Sequence, residues 1–400
     1  MDSRLIYLDY NASAPVKPAV LAHVAEVLAA GGNPSSVHRA GRRARAAIDQ
    51  ARDAVADLVG AEPEQVIFTS GATEANALAI RSLAIGAASA QRACGATRIL
   101  VSAIEHDSVL GAARGVDLPM EEIPVTATGS VDVAALERML GAGGPAVVAL
   151  MLANNETGVI QPVAAVAQLV HACGGWLHCD AVQAPGRIPV DFTDLGADTL
   201  TVSSHKIGGP TGAGALVVRD AALISAQLRG GGQERGLRAG TENVAGIAGF
   251  GVAAELAADD LVRSNEIKDL RDDLEHKLQM LAPTVQVFGA EAERLPNTTC
   301  FALAGMAAET QVIALDLAGL AVSSGAACSS GKVASSRVLR AMGVPEAVAN
   351  SAIRVSLGWA TRPADIERFI HAWSDLIDRR QRRDAPRRPK VPQEVAAGAA

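Results

Sequence analysis

The chain has little of what marks a secreted, membrane-bound or nucleic-acid-binding protein. Cysteine is scarce: five among 400 residues, widely spread at Cys94, Cys173, Cys179, Cys300 and Cys328. An odd, scattered set fits a reducing compartment better than a disulfide framework, and at least one thiol is expected to be free. Aromatic residues make up 3%, and the body of the chain has no basic stretch interleaved with them, so a nucleic-acid partner is not expected. No run of about 18 apolar residues occurs, which excludes a membrane-spanning helix. The opening MDSRLIYLDYN lacks a basic segment followed by an apolar one, so export is not expected and a cytoplasmic setting is. Neither a G-x-x-x-x-G-K-[ST] loop nor a G-x-G-x-x-G after a strand is present, which disfavours ATP and NAD. What remains is an acidic chain of formal net charge −7 in which 49% of residues are hydrophobic, enough for a large core.

From residue 66 to about 218, short apolar runs alternate with amphipathic segments. VIFTS, RILVSAI, AVVALMLA, WLHCD, DTLTVSS and GALVV read as strands, and TEANALAIRSLAIG and VAAVAQLVHAC as helices between them. AVVALMLA is apolar throughout, as in a strand covered on both faces of a mostly parallel sheet. After the glycine-rich GGGQERGLRAGT the pattern changes. One long helical stretch is expected from Val244 to about Leu281, then strands at VQVF, TTCFAL and IRVSL with a helix near 309–319. The expectation is a large α/β domain followed by a smaller α+β C-terminal domain. From about Arg379 a basic, proline- and alanine-rich stretch reads as a solvated, disordered tail.

Parallel sheets place their ligand sites at the carboxyl ends of strands, so the residues just after each strand are the first candidates for chemistry. After VIFTS, GATEANALAI opens a helix at Ala72 and Thr73, where free N–H groups suit a phosphate. RILVSAI leads to Glu105 and His106, AVVALMLA to Asn154 and Asn155, WLHC to Asp180 and Gln183, and DTLTVSS to His205 and Lys206. A lysine behind apolar strand residues is open to Schiff-base chemistry, and an acid for a ring nitrogen with a helix start for phosphate matches pyridoxal phosphate. His171, Cys173, His178 and Cys179 form no zinc site, because strand alternation sends His178 and Cys179 to opposite faces. In VSSGAACSSGKVASS, Cys328 lies among small residues that favour turns, which suggests a thiol built to move.

Taken together, YLDYNASAPV, GNPSSVHRAG, FTSGATEANALAI, NNETG, HCDAVQ, SSHKIGGPTGAGAL, RAGTEN and SSGAACSSG resemble, in order, a cysteine desulfurase of the NifS/IscS type. That family belongs to the class V aminotransferase group of fold-type I pyridoxal phosphate enzymes. The resemblance implies a homodimer with four regions in each chain: an arm at 1–15 packing on the small domain, a cofactor-binding α/β domain at 16–258, a small domain at 259–378 carrying the Cys328 loop, and the tail at 379–400. Lys206 would hold the cofactor and move the substrate's Cα proton, Asp180 would pair with the ring nitrogen, and His106 would stack on the ring and assist proton transfer. Asn155 and Gln183 would reach the phenolic oxygen, with Ala72, Thr73, Ser203 and His205 at the phosphate and Thr241 contributed by the neighbouring subunit. Arg354, on the face of IRVSL opposite Ile353, Val355 and Leu357, would bind the carboxylate of L-cysteine together with Asn155. By pattern alone Arg354 would face solvent.

Cys328 would attack the sulfur of bound cysteine, leaving alanine and a persulfide for an iron–sulfur scaffold or another acceptor. No intrinsic metal is implied, although the Cys328 persulfide could touch a nascent cluster. Residues 323–339 resemble the family's long-loop class, and the segment around 325–334 is expected to be poorly ordered or partly helical. Ala326 stands where serine is common, and GKVASS replaces an acidic or proline-containing continuation, which leaves housekeeping and nitrogenase supply both open. Selenocysteine lyase, a related aminotransferase and a non-catalytic scaffold are the rival readings.

Overall fold

The computed structural model describes residues 5–88, 96–325 and 335–384. At its centre lies a seven-stranded sheet made of β2 (Val66–Thr69), β3 (Ile99–Ser102), β4 (Met120–Ile123), β5 (Val147–Ala149), β6 (Trp176–Asp180), β7 (Thr199–Ser203) and β8 (Gly214–Val218). Their spatial order is β2-β8-β7-β6-β5-β3-β4. Strands β3 to β7 pair in parallel, and β8 runs antiparallel to both neighbours. Successive side chains leave a strand on opposite faces, so each apolar run feeds two cores. Leu100, Val148, Leu200 and Val202 pack on one face with Ile48, Val55, Ile247 and Phe250. Ile99, Val101, Val147 and Ala149 pack on the other with Leu78, Ile80 and Val109. Helices α1 (Pro18–Ala30), α2 (Arg39–Leu58) and Val244–Val262 therefore cover the first face, and α3 (Ala72–Ala88) and α4 (Asp107–Arg114) the second.

The stretch expected as one helix over 244–281 is two: Val244–Val262 and Ser264–Leu281, parted at Arg263. The break follows a change of core. The first helix buries its Ala/Gly-rich face on the large sheet up to Ala257, whereas Ile267, Leu274 and Leu278 of the second enter a separate cluster with Phe301, Ile353, Phe369 and Trp373. One straight rod could not serve both. That second cluster backs a four-stranded antiparallel sheet, β12-β13-β10-β9, of β9 (Gln286–Val287), β10 (Thr298–Ala302), β12 (Ser323–Ser324) and β13 (Ala352–Ser356). At its heart Trp373 meets Phe301 edge-on at 5.5 Å between centroids, a favoured arrangement of ring quadrupoles. The N-terminal segment joins this part: β1 (Ile6–Tyr7) pairs in parallel with β11 (Leu320–Ala321), and Asp9 bridges to Ser356.

Two sequence expectations change here. Strand β4 is an addition, because its MEEI carries two exposed glutamates that read as a loop; at the sheet's edge such charges discourage further pairing. The C-terminal helix runs from Pro363 to Asp384, so residues 379–384 are helical and not the start of a tail. Residues 385–400 lie outside the described residues, as do Cys94 and Cys328 and the segment 326–334.

Candidate active site

The carboxyl ends of β2, β3, β6 and β7 open onto one cavity of about 470 Å³, into which the turn after β5 and strand β13 also reach. Ala72, Thr73, His106, Asn155, Asp180, Gln183, Ser203, His205, Lys206 and Arg354 all line it. Thr241 does not: it lies in a neighbouring depression that shares Ser70 and Gly212 with the cavity.

Lys206 ends a short 3-10 turn that follows β7, and its Nζ donates to the backbone oxygens of Asn11 at 2.6 Å and Ala12 at 2.9 Å. Asp180 closes β6, with Oδ2 accepting from Asn76 Nδ2 at 2.8 Å and Oδ1 from the Val182 N–H at 3.1 Å. A carboxylate held on both oxygens has a fixed orientation. His106 caps α4, its Nδ1 facing the N–H of Ser108 at 3.1 Å and the Ser108 hydroxyl at 2.9 Å.

At the other end of the cavity α3 opens at Ala72, where the first amide groups have no intrahelical acceptor. Gly214 of β8 makes this turn possible: a Cβ there would sit 2.7 Å from Gly71 Cα. Glu74 would oppose an anion, but despite partial burial Arg238 and Ser70 hold its carboxyl below the usual range and satisfy its oxygens. Beside the turn, the Ser203 hydroxyl is buried without a partner. Burial and the adjacent Lys206 push His205 down to about 4, so its imidazole is neutral at pH 7.

Arg354 corrects the solvent-facing expectation from pattern: the residue is 1% exposed. Its Nη2 meets Asp9 Oδ1 at 2.7 Å and its Nη1 the Asn155 carbonyl at 2.8 Å, while Nε is buried without a hydrogen-bond partner. Gln183 donates to the Asn11 carbonyl at 3.0 Å and accepts from Arg187. Two buried acids flank the region. Burial, with Asp180 adding to it, pushes Glu105 up to about 8, and burial pushes Glu156 up to about 7 against a hydrogen bond donated by Ser336. Ser323 and Ser324, which precede the Cys328 segment in sequence, pair with Arg354 and Ile353. Gly325 bonds to the Ala352 carbonyl, and on the far side Arg337 bonds to the Glu105 carbonyl.

Pyridoxal phosphate fits this set. It needs an amine, an acid for the ring nitrogen, a flat neighbour and donors for a phosphate. Lys206, Asp180, His106 and the α3 start with the unpartnered Ser203 hydroxyl supply them in one cavity. Sequence reasoning misses Asp9, Asn11 and Asn76. Asn76 has a signal, since the apolar period Ala75, Leu78, Ala79 turns position 76 inward, where it is fully buried. Among the described residues no group of His, Cys, Asp and Glu could hold a metal. His171 instead meets Asp198, and His178 meets Asn76 and Thr199.

Residues 6–369 match the aminotransferase class-V family. The chain is 42% identical to a cysteine desulfurase of Cereibacter sphaeroides over 93% of this chain and 96% of that one. It is 36% identical to the cysteine desulfurase IscS of Dictyoglomus turgidum over 94% and 95%. The X-ray structure of a NifS-like protein from Rickettsia africae superposes with a TM-score of 0.83 at 35% identity, covering 94% of this chain and all of that one.

Proposed function

The chain belongs to the aminotransferase class-V family, and from that membership we propose that it is a pyridoxal-phosphate-dependent cysteine desulfurase, converting L-cysteine to L-alanine and carrying the released sulfur as a persulfide on Cys328. The observation that carries this reading is the meeting of Lys206, Asp180, His106 and Arg354 with the α3 start on one cavity. When bound, the cofactor supplies an electron sink for the substrate's carbon skeleton.

Each side chain then has a task. Lys206 would hold the cofactor and carry the Cα proton. Asp180, fixed by Asn76 and the Val182 amide, would face the ring nitrogen. Ala72, Thr73, Ser203 and neutral His205 would take the phosphate, with Thr241 reaching in from a second copy in a homodimer. Asn155 and Gln183 would face the phenolic oxygen. Arg354, with one guanidinium nitrogen still unpartnered, would take the substrate carboxylate together with Asn155. The Cys328 thiolate would attack the substrate Sγ. The carbon–sulfur bond breaks, its electron pair stays with carbon and is protonated to give alanine, and the sulfur remains on Cys328.

The division into arm, large domain and small domain belongs to this reading, the small domain running on through the helix that ends at Asp384, as do a cytoplasmic setting and delivery to an iron–sulfur scaffold or similar acceptor. No described helix is long and apolar enough to cross a membrane. The test is sulfide release from L-cysteine under a thiol reductant by wild type, Lys206→Ala and Cys328→Ser. Both variants should lose at least about a hundredfold, the usual scale for removing a reacting group. Full desulfuration by Cys328→Ser would end the nucleophile assignment.

A further inference from the structure

Asn76 is fully buried on the sheet-facing side of α3, and the desulfurase mechanism gives it no task beyond touching Asp180. Its amide is the centre of a continuous polar chain. Nδ2 lies 2.8 Å from Asp180 Oδ2 and 2.9 Å from Ser108 Oγ, and Oδ1 lies 3.0 Å from His178 Nε2. His178 Nδ1 in turn meets Thr199 Oγ1 at 2.9 Å, and Ser108 Oγ meets His106 Nδ1 at 2.9 Å.

The polarity of that chain follows from its end groups. A carboxylate only accepts, so the Asn76 nitrogen faces Asp180 and donates to it. The Asn76 oxygen must then accept from His178, which puts the proton of that ring on Nε2 and leaves Nδ1 to accept from the Thr199 hydroxyl. Burial, which holds His178 down to about 4, agrees with a neutral ring. The second Nδ2 hydrogen goes to Ser108 Oγ, and the direction of the onward bond from that hydroxyl to His106 Nδ1 is set at the ring nitrogen. The Ser108 backbone N–H, which can only donate, points at the same nitrogen. Two donors converge on His106 Nδ1, leaving no place for a proton there. The ring also sits at the positive end of α4, where a cation is disfavoured.

We propose that Asn76 is a positioning residue which, through Ser108, ties the orientation of the Asp180 carboxylate to a single His106 tautomer, with the proton on Nε2. It rests on reading the cavity as a pyridoxal phosphate site and deepens it. Locked in this way, His106 keeps Nδ1 as an acceptor and turns its Nε2–H to the cavity as a donor. The Cα proton is then left to Lys206, and His106 serves by stacking and donating. The arrangement resembles the neutral catalytic histidine at a helix start in triosephosphate isomerase.

The test is nitrogen NMR on protein labelled with ¹⁵N-histidine, with and without pyridoxal phosphate, the His106 signals being identified by their loss in His106→Gln. Nδ1 should be unprotonated and Nε2 protonated in both forms; a proton on Nδ1, or an imidazolium, in the wild type overturns the proposal. Affinity for pyridoxal phosphate, measured by equilibrium dialysis, is the second readout. Asn76→Ala should weaken it about tenfold, the scale of one lost charge-assisted hydrogen bond. Asn76→Asp fills the same volume but sets a second acid against Asp180, so it should bind no better than Asn76→Ala. Wild-type affinity in Asn76→Asp would mean that the residue only fills space, and would equally overturn the proposal. Desulfurase products decide the function separately from either readout.

Discussion

At the scale of single residues, the region around the cavity keeps acids neutral by burial. Glu156, raised to about 7, and Glu105, raised to about 8, are both protonated over much of the neutral range. The native state therefore binds protons that the unfolded chain has already released, and stability contributed by the neutral form is lost as pH rises from the ordinary carboxylate range through these values. For Glu156, raised from 4.5 to about 7, the full effect is roughly 3 kcal/mol. Glu156→Gln copies the protonated form and keeps an acceptor for Ser336. Denaturant melts should show the variant gaining on wild type between about pH 4.5 and pH 7.5, with no further gain above that; parallel curves would place the Glu156 proton wrongly. His178, held down to about 4, acts in the opposite sense: its neutral form contributes above about 6.5 and that contribution is lost as pH falls toward 4. Arg354 shows how pattern can hide a residue's place at the cavity. Alternation puts it on the face opposite Ile353 and Val355, but only the fold shows Asp9, 345 positions away, turning that face inward.

Among the elements, the approach of β8 to the turn before α3 and the aromatic cluster of the small sheet each support a direct test. Gly214→Ala drives a Cβ into Gly71, and a backbone contact at 2.7 Å has no flexible tip to give way. A loss of about 1–3 kcal/mol in stability is expected, with weaker retention of pyridoxal phosphate, because the displaced turn carries the amides proposed for the phosphate. Unchanged retention would remove that turn from the site. Trp373→Ala, which removes the fully buried ring that meets Phe301 and donates to Gln311, should cost about 3–5 kcal/mol while leaving the large sheet folded. The strands of the large sheet are legible in the sequence because both faces are buried and their apolar runs are unbroken. Strand β4 is not, since an edge strand can carry Glu121 and Glu122 as a loop does. Nor is the break at Arg263, because both flanking segments favour helix and only the change of core separates them. Lys206, Asp180 and His106 can be read from their places after strands, whereas Asp9 and Asn11 act through contacts with residues hundreds of positions distant, which no local pattern encodes.

For the whole molecule, Thr241 lies off its own chain's cavity, and the proposed homodimer gives it a place. Sedimentation should report twice the chain mass, and Thr241→Val should weaken binding of pyridoxal phosphate; a monomer with full affinity would refute the shared site. The same organisation joins two cores, with the N-terminal segment crossing from β11 past Asp9 and Asn11 to the cavity, so the cavity is lined from both parts of the chain. The central claim is that this cavity removes sulfur from L-cysteine and leaves alanine. The measurement that tests it is quantification of amino- and keto-acid products from L-cysteine, alongside sulfide, with protein reconstituted in pyridoxal phosphate under reductant. Alanine and sulfide in equal amounts, absent with Lys206→Ala, is the expected result. Pyruvate or another keto acid in place of alanine, or no product at all, would contradict it.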